Sequence, residues 1–537
     1  MQRIAIIGTG PTGIYTLAGL IKCRRPLAIT LYESRAQAGV GMPFDDKVNH
    51  PIMLANIASI EIPAPDSTYL QWLKAQGAEF LERHGVCKDD LHDRQFLPRV
   101  LLGHYFAAQL HAIVSQGIAA GHDIQIKVNT TVNDITAGQP LRLWLSTSSE
   151  PKAYDYVAIA TGHEWPKARE KKPCYFPSPW SGLIHTPIPA TDVGIMGTSL
   201  SGIDAAMAVA IQHGRFVESN EGKTLAFELK ESSRNLRISM LSRSGLLPEA
   251  DFYCPIPHEP LAVATPEAIQ EAIDQGPEGL LNRVFSLMVR ELTFNDPAWS
   301  SHINLHTLTP DSFTDAYYES RKKHNPFYWA SHNLEEVERN KKNRHTIAWR
   351  YTLLRLHEAI EPIVPHLNHS DLTRFNQSLK RVFIDNYAAV PSESIRRLLA
   401  LRQAGVIELK ALGHNYELTI KETKTYISTE SGTLNFDIFI DARGQRSRRI
   451  DDLPFPSLKH LLVACEGLQP PIDTDYTLQA KSDGAHRIAL AALPYLMPIK
   501  PFVQGITVCA EIGDAVSKGF IRSVECYEQA LSAEHEV

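Results

Sequence analysis

Gly8, Gly10 and Gly13 stand at Gly-x-Gly-x-x-Gly spacing directly after the run Arg3-Ile-Ala-Ile-Ile7, and the chemistry such a loop serves is the holding of a pyrophosphate. Each missing side chain has its own use. Gly8 allows the tight turn, Gly10 lets phosphate approach the backbone, and Gly13 lets helix and sheet pack closely. Pro11 and Thr12 complete the loop, and the helix that begins there offers unpaired N–H groups and a positive dipole end to the phosphates. Glu33 closes a second strand-like run, Leu27 to Glu33, twenty residues past Gly13, where a carboxylate meets an adenosine ribose hydroxyl. A glycine-rich loop with an unrelated surface glutamate is the plainer alternative. The strand before the loop, the helix after it and the acid at this distance argue against it.

The strand-like residues 154–163 end in Ala160-Thr161-Gly162, which resembles the second fingerprint of the FAD/NAD(P)-dependent oxidoreductases. With the first loop, that resemblance implies FAD rather than a nicotinamide at the N-terminal site. The grammar then recurs. Asp192 to Met196 lead into Gly197, Ser199 and Gly202 at the same spacing, with serine at the middle position. A later strand ends Leu241-Ser242-Arg243, where a guanidinium can pair with a 2′-phosphate, so NADPH is expected in preference to NADH. The separation from Gly202 is about twice the ~20 residues usual in such a unit.

These sites need two parallel sheets to carry them. The expected fold is α/β, with two Rossmann-like dinucleotide-binding domains and a mainly helical insertion. Residues 1–190 plus 450–537 are read as the FAD-binding domain and 191–254 plus 405–449 as the NAD(P)-binding domain. Residues 255–404 carry helical periodicity, as in Trp349 to Ile363 and Ser392 to Gln403, and form the insertion. A last helix is expected from about Gln504, whose start, Gln504-Gly505-Ile506, would present N–H groups to the pyrimidine end of the isoalloxazine.

At 537 residues the chain exceeds one usual core. A net charge of −6 gives no reason to expect nucleic acid or an anionic membrane as partner, and the longest apolar stretch, near Ile488 to Met497, is too short to cross a bilayer. The seven cysteines form no Cys-x-x-Cys pair, and nothing at the start reads as a signal peptide, so a cytoplasmic protein is expected. The histidines form no metal motif, and no metal is expected.

Longer segments carry a more specific resemblance. Gly10-Pro-Thr-Gly-Ile-Tyr-Thr16, Met53-Leu-Ala-Asn-Ile-Ala-Ser-Ile-Glu-Ile-Pro63, His92-Asp-Arg-Gln-Phe-Leu-Pro-Arg99 and Val193-Gly-Ile-Met-Gly-Thr-Ser-Leu-Ser-Gly202 are among them. So are Leu247-Pro-Glu-Ala-Asp-Phe-Tyr-Cys-Pro255, Val382-Phe-Ile-Asp-Asn-Tyr387 and Pro501-Phe-Val-Gln-Gly505. Through them the chain resembles the bacterial YdhS-like FAD/NAD(P)-binding proteins over nearly its whole length. By analogy with related flavoproteins, the resemblance implies that Leu54, Asn56, Arg94, Gln95 and Arg99 line the FAD site, with Val132 contacting adenine through its backbone.

Paired nucleotide sites imply hydride delivery from NADPH to flavin. The leading expectation is an N- or S-oxidising monooxygenase acting on a small molecule, with the insertion as a cap bearing Arg350, His357, Asn386 and Tyr387 as polar candidates. A reductase or dehydrogenase without oxygen insertion and a non-catalytic flavin-binding sensor or scaffold remain open. The Gly-Asp that usually grips the ribityl chain is not evident, since Gly513-Asp514 falls inside the last helix. Trp180-Ser-Gly182-Leu-Ile-His185 is one residue short of the monooxygenase fingerprint Phe-x-Gly-x-x-x-His.

Overall fold

The computed structural model describes residues 1–163, 172–218, 224–445, 447–463, 471–480, 483–503 and 505–535, the side chains of 525–535 excepted. From the N-terminus come β1 (Gln2–Ile7), α1 (Pro11–Leu20), β2 (Leu27–Tyr32), α2 (Arg99–Ala119), β3 (Asp123–Lys127) and β4 (Tyr156–Ile159). Then follow β5 (Tyr175–Phe176), β6 (Asp192–Met196), α3 (Leu200–His213) and β7 (Arg237–Ser242). The helical insertion includes α4 (Phe313–Lys322), α5 (Ala348–Ile360) and α6 (Leu379–Tyr387). The chain returns through β8 (Ile407–Ala411), β9 (Ile438–Asp441) and β10 (Ile488–Leu490) to α7 (Ile506–His535).

Two all-parallel five-stranded sheets result, in the orders β10-β4-β1-β2-β3 and β8-β7-β6-β9-β5. Each strand has its counterpart. Both units also carry a three-stranded antiparallel sheet before their fourth strand, 132–154 in one and 416–436 in the other. Continuous burial of Tyr156-Val-Ala-Ile159 and Ile438-Phe-Ile440 explains why these strands read as apolar runs, because both faces of a parallel sheet are covered. One assignment changes. Tyr175–Phe176 pairs with β9, so residues within 1–190 contribute the edge of the second sheet.

The glycine spacing has a steric cause in both halves. A Cβ on Gly13 would lie 2.2 Å from the Gly8 carbonyl oxygen, and one on Gly202 would lie 2.3 Å from that of Gly197. Gly8 (φ +102°) and Gly197 (φ +134°) also adopt backbone that side chains disfavour. Helix α7 crosses α1 closely, since a Cβ on Gly513 would meet Tyr15 at 2.6 Å and one on Gly19 would meet Ser517 at 2.0 Å. The C-terminal helix therefore closes the first unit. Among the described residues, no helix is long and apolar enough to cross a membrane.

Candidate active site

The first glycine turn opens onto a cleft of about 1890 Å³. A single small ligand usually takes ~300–1,000 Å³, so this cleft has room for a dinucleotide and a further molecule. Gly8, Gly10, Pro11 and Thr12 line one wall with Glu33, Val132, Ala160, Thr161 and Gly162, so the structure brings these predicted residues together. Gly13 stands behind them, packed on Gly8. Gly10 faces Gly41, and a Cβ on Gly10 would have the Gly41 Cα at 3.5 Å as its nearest neighbour. The two glycines pack against each other and keep this stretch of the cleft wall free of side chains, so that a phosphate would meet backbone there. Glu33 is fixed at the end of β2, where Oε2 accepts the Thr9 hydroxyl at 2.6 Å and Oε1 the Arg35 N–H at 3.0 Å. The longer contacts from the Thr9 N–H and the Ser34 hydroxyl, both at 3.4 Å, are the ones a ribose hydroxyl would displace.

The segments implied by resemblance divide. Asn56, Arg94 and Arg99 reach the cleft wall, but Leu54 and Gln95 do not. Leu54 forms a β-bridge with Pro98, and its carbonyl accepts Arg99 Nη2 at 3.0 Å. Arg99 is further committed to Asp204 on α3, at 2.6 Å between two buried side chains, and so ties the two nucleotide units together. Arg94 donates to the Cys254 carbonyl at 3.0 Å and lies over the Tyr253 ring. Gly505 and Ile506 line the cleft at the start of α7, whereas Gln504 lies outside the described residues. Asp514, far along that helix, pairs with Lys518. The Trp180–His185 segment is a strap pinned to the first unit, with Trp180 donating to Asn49 and His185 to the Lys47 carbonyl.

The far end of the cleft is built by the insertion. His357 on α5 stacks on Tyr387 of α6 at 5.0 Å, and Phe502 presents its edge to both. His357 Nδ1 donates to the Leu354 carbonyl, leaving Nε2 as an acceptor, and burial lowers the imidazole to about 4. Arg350, also expected here, instead pairs with buried Glu249 at 3.1 Å beneath the Phe252 ring. The carboxylates of Glu358, Glu361 and Glu511 line this end, and Glu61 lines the cleft as well. Burial raises Glu61 to about 7, opposed by the Ala58 N–H and reinforced by Asp251. Sequence reasoning passed over these four acids. A signal existed, because Leu354, His357, Glu358 and Glu361 follow the i, i+3, i+4, i+7 spacing of one helical face.

Several polar atoms wait for a guest. Asn56 Oδ1, His163 Nδ1, both amide atoms of Asn386 and the Tyr387 hydroxyl are buried without a protein partner, and all five belong to cleft-lining residues. An orphaned buried group costs about 1–3 kcal/mol, so a polar ligand in the cleft relieves the walls. Cys254 and Cys509 also line it, and burial pushes their thiols up to about 12 and about 11. At neutral pH both thiols are therefore held in the protonated form.

The second motif shapes a separate groove of about 200 Å³. Ser199 and Arg243 both line it, with Lys322 and Arg381 from the insertion. Gly197 and Gly202 form the turn behind. The doubled spacing between Gly202 and Arg243 is explained by an antiparallel hairpin of Gly214–Glu218 and Leu225–Leu229 set between α3 and β7.

Comparison with known proteins fits this geometry. The FAD-NAD(P)-binding family matches residues 5–164, and the YdhS-like middle domain matches residues 265–387. The uncharacterized protein YdhS of Escherichia coli (strain K12) is 51% identical over 535 residues, covering 99% of this chain and 100% of that one. The chain belongs to the YdhS-like family of FAD/NAD(P)-binding flavoproteins. Among solved structures, L-lysine 6-monooxygenase from Pseudomonas syringae superposes on this YdhS-like chain with a TM-score of 0.51 at 13% identity, covering 98% and 100% of the two chains. The Kutzneria sp. 744 ornithine N-hydroxylase, with reduced FAD, NADP+ and L-ornithine, gives 0.50 at 12% identity, covering 97% and 99%. These likenesses extend the fold over the whole chain. With its FAD-NAD(P)-binding family match and paired glycine turns, the YdhS-like chain is an FAD- and NAD(P)H-dependent oxidoreductase.

Proposed function

We propose that this YdhS-like flavoprotein is a monooxygenase that uses NADPH and O2 to oxidise a nitrogen or sulfur atom of a small molecule, with the helical insertion as the cap of its reaction chamber. The observation that carries this reading is the continuity of the cleft. One chamber runs from Gly8–Thr12 to Asn386 and Tyr387, so the insertion closes on the cofactor motif and leaves unpartnered polar atoms at the junction. The residues of the first glycine turn would hold FAD, which when bound would supply two-electron transfer from NADPH to O2, with one oxygen atom going to the substrate and the other leaving as water with a proton from solvent.

The protein's own part is placement and exclusion. Gly505, Ile506 and Thr507 line the cleft where α7 begins, a helix start whose first N–H groups have no partner within the helix. The stack of His357, Tyr387 and Phe502 walls the far end with apolar ring surface. Ser199 and Arg243, with Lys322 and Arg381, supply a groove for the nicotinamide nucleotide and its 2′-phosphate. Thiol relay chemistry is disfavoured by the raised thiols of Cys254 and Cys509. The lysine and ornithine hydroxylases that share this fold supply a precedent for such chemistry on it.

The test uses the FAD-loaded protein. NADPH should bleach the flavin anaerobically, and turnover under 18O2 with a small-molecule extract should yield products carrying one 18O. Full bleaching with electrons passing quantitatively to an artificial acceptor, and no labelled product, would establish a reductase instead. A flavin that NADPH never bleaches would point to the sensor or scaffold.

A further inference from the structure

We propose that the end of the cleft beneath the insertion is a binding site for an organic cation, an amine protonated at neutral pH and carried on an apolar or aromatic body. The inference rests on the monooxygenase reading only in taking this chamber as the substrate's. Three carboxylates open into it: Glu358 on α5, Glu361 in the turn that follows, and Glu511 in the second turn of α7. They sense one another. Partial burial raises Glu358, although 63% of its side chain stays exposed, and the charges of Glu511 and Glu361 raise it further. Burial likewise raises Glu361, against the pull of Lys500 and of the Phe502 N–H that it accepts at 3.1 Å, and with the push of Glu511.

The resident charges leave this demand unmet. Lys500 acts on Glu361 and Glu511, but its ammonium lies over the Tyr476 ring at 5.4 Å, and Lys500 is not part of the cleft wall. His258 approaches Glu358 only to 3.9 Å, and burial with the nearby Arg355 charge lowers it. His357 is held neutral by burial. Three acids against one diverted ammonium make this end of the cleft hostile to a carboxylate or phosphate and receptive to a cation.

A second observation is independent of charge. Asn386 is 2% exposed, lines the same wall, and has neither its amide oxygen nor its amide nitrogen bonded. Its oxygen accepts from an ammonium, and the adjacent Tyr387 hydroxyl is unbonded as well. The rings of His357, Tyr387 and Phe502 then offer faces to methylenes, an aromatic ring or the cation itself. A metal ion is the smaller alternative. Among the described residues no three side chains are grouped to hold one, so the spacing suits an ammonium with a body attached.

The test measures binding, not turnover. FAD-loaded oxidised protein is titrated with 2-phenylethylamine, 2-phenylethanol and 3-phenylpropanoate, which share a body and differ in charge. Calorimetry and perturbation of the flavin spectrum are the readouts. The amine should bind at least ten-fold more tightly than the alcohol, with the acid weakest. Glu358→Gln/Glu361→Gln should erase the amine's advantage while leaving the alcohol unchanged, and exposed Glu511→Gln gives the same direction if the pair fails to fold. Equal affinities, preference for the acid, no saturable binding of the amine, or amine affinity untouched by these variants would overturn the site. The parent reading fails differently. Amine bound selectively but never oxygenated under NADPH and O2 keeps the cation site and removes the monooxygenase, whereas oxygenation of neutral and cationic compounds alike does the reverse.

Discussion

Replacing Gly10 by alanine separates what the first turn does for cofactor from what it does for folding. Gly10 precedes α1 with φ −72° and ψ −173°, an extended conformation open to any residue. Its new methyl would meet nothing nearer than the Gly41 Cα at 3.5 Å. Loss of chain entropy in the unfolded state favours Ala by about 0.4–1 kcal/mol, and the poorer N-cap opposes it by a similar amount, so apo stability should change by less than about 1 kcal/mol. The methyl instead projects from the cleft wall against which the pyrophosphate would lie. Forfeiting one charge-assisted contact to the pyrophosphate costs about 1.5–3 kcal/mol, or roughly 10- to 150-fold in FAD affinity. Gly13→Ala should do the opposite, because its Cβ would sit 2.2 Å from the Gly8 carbonyl oxygen and the backbone must move, at a cost of ~3 kcal/mol or more. The assay is thermal unfolding of the deflavinated proteins beside calorimetric titration with FAD. Wild-type FAD affinity in Gly10→Ala, or wild-type stability in Gly13→Ala, would refute the assignment of these two roles.

Arg243→Glu should raise the KM for NADPH by on the order of 10- to 100-fold and that for NADH far less, since only the former brings a 2′-phosphate to the groove shared with Ser199; equal effects on both would remove Arg243 from the phosphate site. Arg99→Met strands buried Asp204 and should destabilise the protein by about 3–5 kcal/mol in chemical unfolding, while a loss below ~1 kcal/mol would mean that the pair does not join the two units. Burial pushes Glu249 up, but Arg350, Arg321 and the Trp329 indole together hold it below the usual carboxylate range. Its contribution is therefore complete above the unfolded value of ~4.3 and disappears as pH falls through the lower folded one. The stability gap between wild type and Glu249→Gln should be widest near neutrality and shrink in acid; a gap independent of pH would contradict this.

The features legible in the sequence are local ones. Gly8 to Gly13 and Gly197 to Gly202 are readable because a turn, a close approach and a helix start are packed into six residues. Ser392–Gln403 emerges as a helix with the bounds its periodicity suggests. Elements set by distant partners were not legible. Tyr175–Phe176 is too short to show which sheet it joins, and the tie from Arg99 to Asp204 spans two units. Leu54 and Asn56 are two residues apart in one segment, yet only Asn56 turns to the cleft, since Leu54 is engaged in its bridge to Pro98. Arg350 looked like a cap residue because it shares a helix with His357, but Glu249 draws it into the core. The acids of the far end come from α5, the turn after it and α7, which folding alone brings together.

The two halves repeat strand for strand, and their largest departures from the common plan fall between the second and third strands of each. In the first half that stretch supplies Asn56 and Glu61; in the second it is the insertion, which supplies His357, Asn386 and Tyr387. Both additions meet over one cleft, outside the sheets that hold the glycine turns. The coenzyme frames and the chamber are thus separable inheritances of the same chain. Changes in the two additions can retune what is oxidised without disturbing either turn, so relatives with the same coenzymes are free to differ in the compounds they accept.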